Sequence, residues 1–292
     1  MQLLRKLSAK FQRIGVIERR IELLQEALGR IEARQTLNAR TLREAEFRVF
    51  SQWGEDGIIQ YLIRHIPIQN RTFVEFGVQD YLESNTRFLL VNDNWRGLVI
   101  DGGAENIDSI RRNDIYWQHT LRAECAFITA ENINDLIRSA GFANDIGLLS
   151  IDVDGNDYWI WKAIEAVSPR IVVVEYNSRF GADREVTVPY DPAFVRGTAH
   201  ASMIYYGASL GAFARLGEQK GYSLVGCNSA GNNAFFVRKD VQPASVPALS
   251  VGEAFVASTF RESRDASGNL IFLTPEEEGK ILETLPLVDL RQ

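Results

Sequence analysis

Only two cysteines, Cys125 and Cys227, and three histidines, His65, His119 and His200, occur in the 292 residues. With no CxxC pair and no Cys/His cluster, the sequence argues against a disulfide framework and a structural zinc, and it suits a reducing cytoplasm. No apolar run reaches the length of a membrane span, and the N-terminus lacks the apolar core and cleavage site of a signal peptide. Basic charge is not in surplus either. The 32 Lys and Arg against 38 Asp and Glu leave a net charge of −6, which argues against a broad grip on nucleic acid. The chain therefore reads as cytosolic, with any membrane contact peripheral.

What is present divides at about residue 45. Residues 1–45 contain no proline and are rich in Arg, Glu, Gln and Leu. Leu4, Leu7, Phe11, Ile14, Ile17, Ile21, Leu24, Leu28 and Ile31 step by three or four, so a long helix with one apolar stripe is expected. Steps averaging near 3.5 favour a short coiled coil and a homo-oligomer, although the consecutive three-residue steps from Phe11 to Ile17 depart from a strict heptad. Packing on the chain's own globular domain is the competing expectation. A third uses Arg5, Lys6, Lys10, Arg13, Arg19 and Arg20 as a basic interfacial face, against which Glu18 and Glu22 interleave.

From residue 50 short apolar runs alternate with helical patterns. TFVEFG (72–77), GLVIDG (97–102), IYWQHTL (115–121), IGLLSIDV (146–153) and RIVVVEYN (170–177) are predicted as buried strands. Helical patterns over 130–140 and 157–167 between them imply an α/β fold with a parallel sheet covered on both faces. A proline- and glycine-containing segment to about residue 204 reads as a binding loop or lid. A helix and two strands joined by NSAGN follow. The expected organisation is a helical segment 1–45, a main domain 46–242 and a C-terminal extension 243–292.

The candidate chemistry lies at strand ends. Glu75 and Gly77 close one strand and Asp101, with Gly102 beside it, closes the next, a spacing suited to a nucleoside whose ribose hydroxyls need an acid. A G-x-G-x-x-G fingerprint is missing, which disfavours a pyrophosphate and favours a phosphate-free nucleoside such as S-adenosylmethionine. The stretch SIDVDGNDYW fails as an EF-hand, because Ser150 and Trp161 would occupy its first and last ligand positions. Asp152, Glu175 and Asn177 instead close neighbouring strands, where two carboxylates and an amide suit a divalent ion such as Mg2+ or Mn2+. Direct hydrogen bonding of Asp152 or Asp154 to a ligand is the alternative, and Asn156 or Asp157 is expected to cap the following helix. His200, in the long loop, is a candidate general base. Ser51 and Gln52 lie just upstream of the sheet, within reach of its ligand edge.

Taken in order, FSQWGEDG, VEFGVQDYLESNT, GLVIDG, SIDVDGND, VVVEYN, YYGASLGAFARLGEQKGYSLVGCN and GNNAFFVRKD resemble the FkbM-type S-adenosylmethionine-dependent methyltransferases over roughly residues 47–240. The resemblance implies a class I methyltransferase fold, Rossmann-like, whose seven-stranded sheet ends in an antiparallel strand. It implies methyl transfer to a sugar hydroxyl, commonly in bacterial surface glycan synthesis, with a sugar or glycan as partner. By position Glu75, Gly77, Ser84, Asn85 and Thr86 resemble the cofactor motif, Asp101 the ribose-binding acid and Asp152 the acid after the fourth strand. Tyr81 stands where the family usually has glycine. Two rival readings are a dehydrogenase on the same architecture and a non-catalytic helical scaffold of a glycan-assembly complex.

Overall fold

The computed structural model describes residues 2–291, and their side chains except those of 2–13 and Glu18. The chain begins with helices α1 (Gln2–Gln35), α2 (Leu42–Ala45) and α3 (Glu55–His65), then strand β1 (Thr72–Phe76) and helix α4 (Arg87–Asp93). Strand β2 (Arg96–Asp101), helices α5 (Ala104–Arg112) and α6 (Asp114–Gln118), strand β3 (Leu121–Cys125) and helix α7 (Ile133–Ser139) follow. Next come β4 (Asn144–Ile151), α8 (Asp157–Ala163), β5 (Val167–Glu175), the two-residue strand β6 (Val186–Thr187), α9 (Arg196–Ala199) and α10 (Leu210–Lys220). The chain closes with β7 (Tyr222–Cys227), β8 (Asn233–Arg238), α11 (Val251–Ala254), α12 (Pro275–Leu282) and β9 (Val288–Asp289).

Seven strands form one sheet in the order β3-β2-β1-β4-β5-β8-β7. β3, β2, β1, β4 and β5 pair in parallel, whereas β8 runs antiparallel to both β5 and β7. This is the topology the resemblance implied. Strand side chains alternate between two cores, as a doubly covered sheet demands. Val74, Phe76, Val172 and Val174 meet Ile160, Trp161, Phe213 and Leu216 on one face. Phe73, Val99, Ile171 and Val173 meet Ile58, Leu62, Leu89 and Ile107 on the other. Among the described residues no helix is long and apolar enough to cross a membrane.

One predicted strand was wrong. IYWQHTL is not a strand: Asn113 accepts a hydrogen bond from Ile115 N at 3.0 Å and starts α6, and the third strand begins only at Leu121. Aromatic content misled here, since Trp117 is 74% exposed on a single helical turn. The C-terminal extension lies against the segment that follows β5. β9 pairs with β6, Tyr205 Oη donates to Pro286 O at 2.6 Å, and Leu282 joins a small core with Phe180, Val186, Val188 and Ile204.

Candidate active site

The carboxyl ends of β1, β2, β4 and β5 bring the strand-end acids to one edge. Gly77 leaves β1 with φ +71°, and a Cβ there would lie 1.6 Å from the Asp152 carbonyl oxygen, so only glycine allows β1 and β4 to approach this closely. Glu75, 4% exposed, turns its carboxylate to the next loop. It accepts from Asn85 N at 2.8 Å, Thr86 N at 3.1 Å and the Thr86 hydroxyl. Burial pushes its pKa up to about 7 despite those donors. Glu75 therefore shapes the Ser84–Thr86 loop as well as lining a cavity.

Tyr81 occupies its position with φ +64°, a left-handed conformation that favours glycine. Its ring is fully buried and its hydroxyl lies 2.9 Å from Thr86 Oγ1. The loop thus keeps a glycine-type backbone while an aromatic fills the space beneath it. Ser84 N donates to Phe50 O, and Asn85 Nδ2 donates to Ser150 Oγ at 3.1 Å, tying the loop to β4.

Asp101 accepts from Gln79 N at 2.8 Å through one oxygen and from Gly103 N and Asn106 Nδ2 through the other. It borders a cavity of about 170 Å³ whose walls include Gly77, Gly102, Phe127, Ile128, Asp152 and Asn156. A second cavity of about 120 Å³ lies beside it, lined by Gln52, Glu75, Ser84, Asn85, Asp152 and Asn233, with Gly77, Gln79 and Asp152 common to both. Thr86, buried behind Glu75, supports the second cavity without lining it. A larger cavity of about 460 Å³ lies away from this edge, between Arg40–Arg43, β7 and residues 246–256.

At the same edge, carboxylate oxygens of half-buried Asp152, exposed Asp154 and buried Glu175 lie within 4.8 Å of one another. Burial, and then the neighbouring carboxylates, hold Asp152 and Glu175 well above the ordinary carboxylate range. Glu175 is 8% exposed and its Oε2 has no hydrogen-bond partner. Arg196 is the cation nearby. It donates to Asp154 Oδ1 at 2.8 Å and to Met203 O, and its guanidinium lies 3.8 Å from the centre of the Tyr206 ring.

Several expected roles change. Asn177 follows β5 as expected, but its amide donates to Ile204 O and Tyr206 O and its oxygen accepts from Arg179 N, so the side chain is committed to the chain beyond β5. Asp154, left out of the expected ligand set, is the third carboxylate of the cluster with Asp152 and Glu175. His200 ends α9 with Nδ1 2.7 Å from Ser202 Oγ and lines neither cavity of the edge. Asp157 does not cap α8 forward; its carboxylate accepts from Val153 N and Gly155 N and closes the 152–157 turn. Asn156 donates to Asp191 O, leaving a buried Oδ1 without a partner beside the first cavity.

The segment 47–57 is built by two further acids. Asp56 accepts from Val49 N, Phe50 N, Ser51 N and the Ser51 hydroxyl, which removes Ser51 from the ligand edge. Glu55 accepts from Trp53 N, Asn228 Nδ2 and Asn233 Nδ2, fixing the β7–β8 turn against the second cavity. Arg196 and Asn233 were missed by reading the sequence, and no local pattern signals either of them.

No family model matches the chain, and no curated protein matches it. Solved structures similar to it include an S-adenosylmethionine-dependent methyltransferase from Clostridium acetobutylicum, 12% identical over 63% of this chain and 89% of that one, with a TM-score of 0.41. The N-terminal domain of EvdMO1, solved in the presence of SAH and D-fucose, is 9% identical over 63% and 80%, with a TM-score of 0.39. An O-methyltransferase from Bacillus cereus, in complex with SAH, is 14% identical over 73% and 88%, with a TM-score of 0.37. At identities and TM-scores this low, the likeness assigns no chemistry to this chain.

Proposed function

We propose that the chain binds S-adenosylmethionine across the two joined cavities and transfers its methyl group to a hydroxyl, with a sugar as the acceptor class. The observation that carries this reading is the charge of the cavity walls. Asp101, Asp152 and Asp154 border one cavity and Glu75, Asp80, Glu83 and Asp152 the other. Such walls, acidic and without a basic side chain, offer a pyrophosphate no partner and suit a nucleoside that carries a cation. This also disfavours the dehydrogenase reading, and the built cavities disfavour an inert scaffold.

The residues present fit such a ligand. Asp101 offers the ribose an acid, while Phe127, Ile128 and the unpaired Asn156 Oδ1 suit a base that has both an apolar face and a donor. Gln52, Ser84, Asn85 and Asn233 surround the end where an amino-acid group would lie. When bound, S-adenosylmethionine supplies an electrophilic methyl on a sulfonium. Asp152 and Glu175 then hold the acceptor hydroxyl and take its proton, a role suited to carboxylates made more basic by burial. His200 is the weaker candidate for base, because it lines neither cavity.

A divalent ion fits the same place. Three carboxylates with oxygens this close, one of them buried and unpaired, form a hard-oxygen set for Mg2+ or Mn2+, with Asp152, Asp154 and Glu175 as ligands. With an ion held there, these carboxylates would serve as its ligands and not as the base, and the ion would offset their repulsion and orient vicinal sugar hydroxyls. A cytoplasmic step in surface-glycan synthesis accommodates all of these features.

Equilibrium titration with S-adenosylhomocysteine and NAD, followed by transfer of labelled methyl to a panel of nucleotide sugars and lipid-linked glycans, tests the proposal. Micromolar binding of S-adenosylhomocysteine without NAD binding, and label on a sugar, is expected. Binding of NAD alone would overturn it.

A further inference from the structure

Helix α1 docks on the domain by its polar and small residues. Arg19 donates to Gln118 at 3.3 Å, and Arg87 reaches back to Glu22 at 3.3 Å. A Cβ on Gly29 would fall 2.5 Å from Val49 Cγ2 and 2.8 Å from the Phe88 ring, and Ala33 packs with Phe47, Val49, Phe50 and Phe88. At 3.6 residues per turn, Glu22, Gly29 and Ala33 share one side of the helix, and the apolar stripe occupies the opposite side. There Ile14, Ile17, Ile21, Leu24, Leu28 and Ile31 are 43–63% exposed. The helix has turned its best hydrophobic face away from its own domain.

These six residues step by 3, 4, 3, 4 and 3, which is an unbroken a/d repeat; the earlier irregularity came from Phe11, which lies outside this frame. We propose that this outward stripe pairs, in parallel and in register, with the same stripe of a second copy of the chain. An a/d seam is self-complementary, so two identical helices bury it with knobs in holes. The flanking residues decide the direction. Arg20, Ala27 and Arg34 fall at g positions, Gln25 and Glu32 at e positions. A parallel pair sets Arg20 opposite Gln25 and Ala27 opposite Glu32, with no like charges in contact. An antiparallel pair that overlays the same six residues, Ile14 on Ile31 and Ile21 on Leu24, brings g position 13 against g position 34, both arginine in the sequence. The pairing also bears on the site, because the Arg87 that reaches back to Glu22 on the inner side of α1 also donates to Tyr81 O at 2.8 Å, in the cofactor-side loop.

Light scattering of the full chain after size exclusion should give twice the monomer mass, and Leu24→Glu with Leu28→Glu should give the monomer. Since both residues are exposed within one chain, the variant should keep the wild-type far-ultraviolet dichroism of the domain. In a Cys125→Ser background, Ile17→Cys should form an interchain disulfide with its own counterpart on oxidation. A monomeric wild-type chain at tens of micromolar, or a double variant of unchanged mass, overturns the proposal. A dimer in which Ile17→Cys fails to cross-link overturns the parallel register. Sedimentation of a monomeric wild-type chain with anionic phosphatidylglycerol vesicles would assign the stripe to a membrane surface instead.

Discussion

Glu75 sets two physical effects against each other, and Glu75→Gln separates them. Burial raises its pKa from 4.5 to about 7, while three donors from Asn85 and Thr86 favour the charged form. Because the folded-state pKa lies above the unfolded one, the folded chain holds the proton more tightly. Its contribution to stability is full below pH 4.5 and is lost as the pH rises through about 7; a shift of this size corresponds to roughly 3 kcal/mol. Glutamine has no charge to bury, but its NH2 faces donors where an oxygen stood, which costs about 1–3 kcal/mol at all pH values. The variant should therefore be the less stable protein at pH 5 by about that amount, and the gap should shrink or reverse by pH 8. Urea denaturation at pH 5, 6.5 and 8 reads the difference. Asp56 and Asp157, also raised by burial to about 6, are present in both proteins and cancel. A gap that stays constant or widens with pH would refute the reasoning and show that the three donors keep Glu75 ionised.

Gly77→Ala places a methyl group 1.6 Å from the Asp152 carbonyl in a left-handed residue, and the conformation alone costs about 1–2 kcal/mol. It should lower the melting temperature and weaken S-adenosylhomocysteine binding more than tenfold; wild-type affinity would show that the β1–β4 approach does not shape the site. Asp101→Asn should cost about 1–3 kcal/mol of S-adenosylhomocysteine affinity by titration, with a smaller effect on thermal stability. Exhaustive EDTA treatment should reduce turnover at least tenfold, with recovery on adding Mg2+ or Mn2+, and unchanged turnover would remove the metal from the proposal. His200→Ala should retain turnover within about threefold, roughly 0.7 kcal/mol of transition-state stabilisation, and a much larger loss would return it to the reaction.

The sheet was legible because each central strand is a continuous apolar run ended by an acid or a glycine, as Glu75, Gly77, Asp101 and Asp152 illustrate. The exception, IYWQHTL, shows the limit: apolar and aromatic residues at the Asn113 cap support one helical turn as readily as a strand. Long-range partners were not legible. Arg196 meets Asp154 from 42 residues away, and nothing local to either residue announces the contact. The stripe of α1 was visible from its period, but not its direction, which Gly29 and Ala33 decide by letting the opposite face approach Val49 and Phe88.

The acids at the sheet edge make the deepest form of this point. In sequence, Glu75, Asp101 and Glu175 are equivalent carboxylates closing apolar runs. In the fold they are distinguished by the hydrogen bonds that reach them. Glu75 is taken up by loop amides, Asp101 by two turns that leave it at a cavity wall, and Glu175 keeps a buried oxygen without a donor. An acid satisfied by its own backbone holds the site in shape, whereas one left unsatisfied beside another carboxylate favours whatever cation or hydroxyl can reach it. On that ground the proposed chemistry of this edge is assigned to Glu175 and Asp152 rather than to the better-placed letters of any single motif.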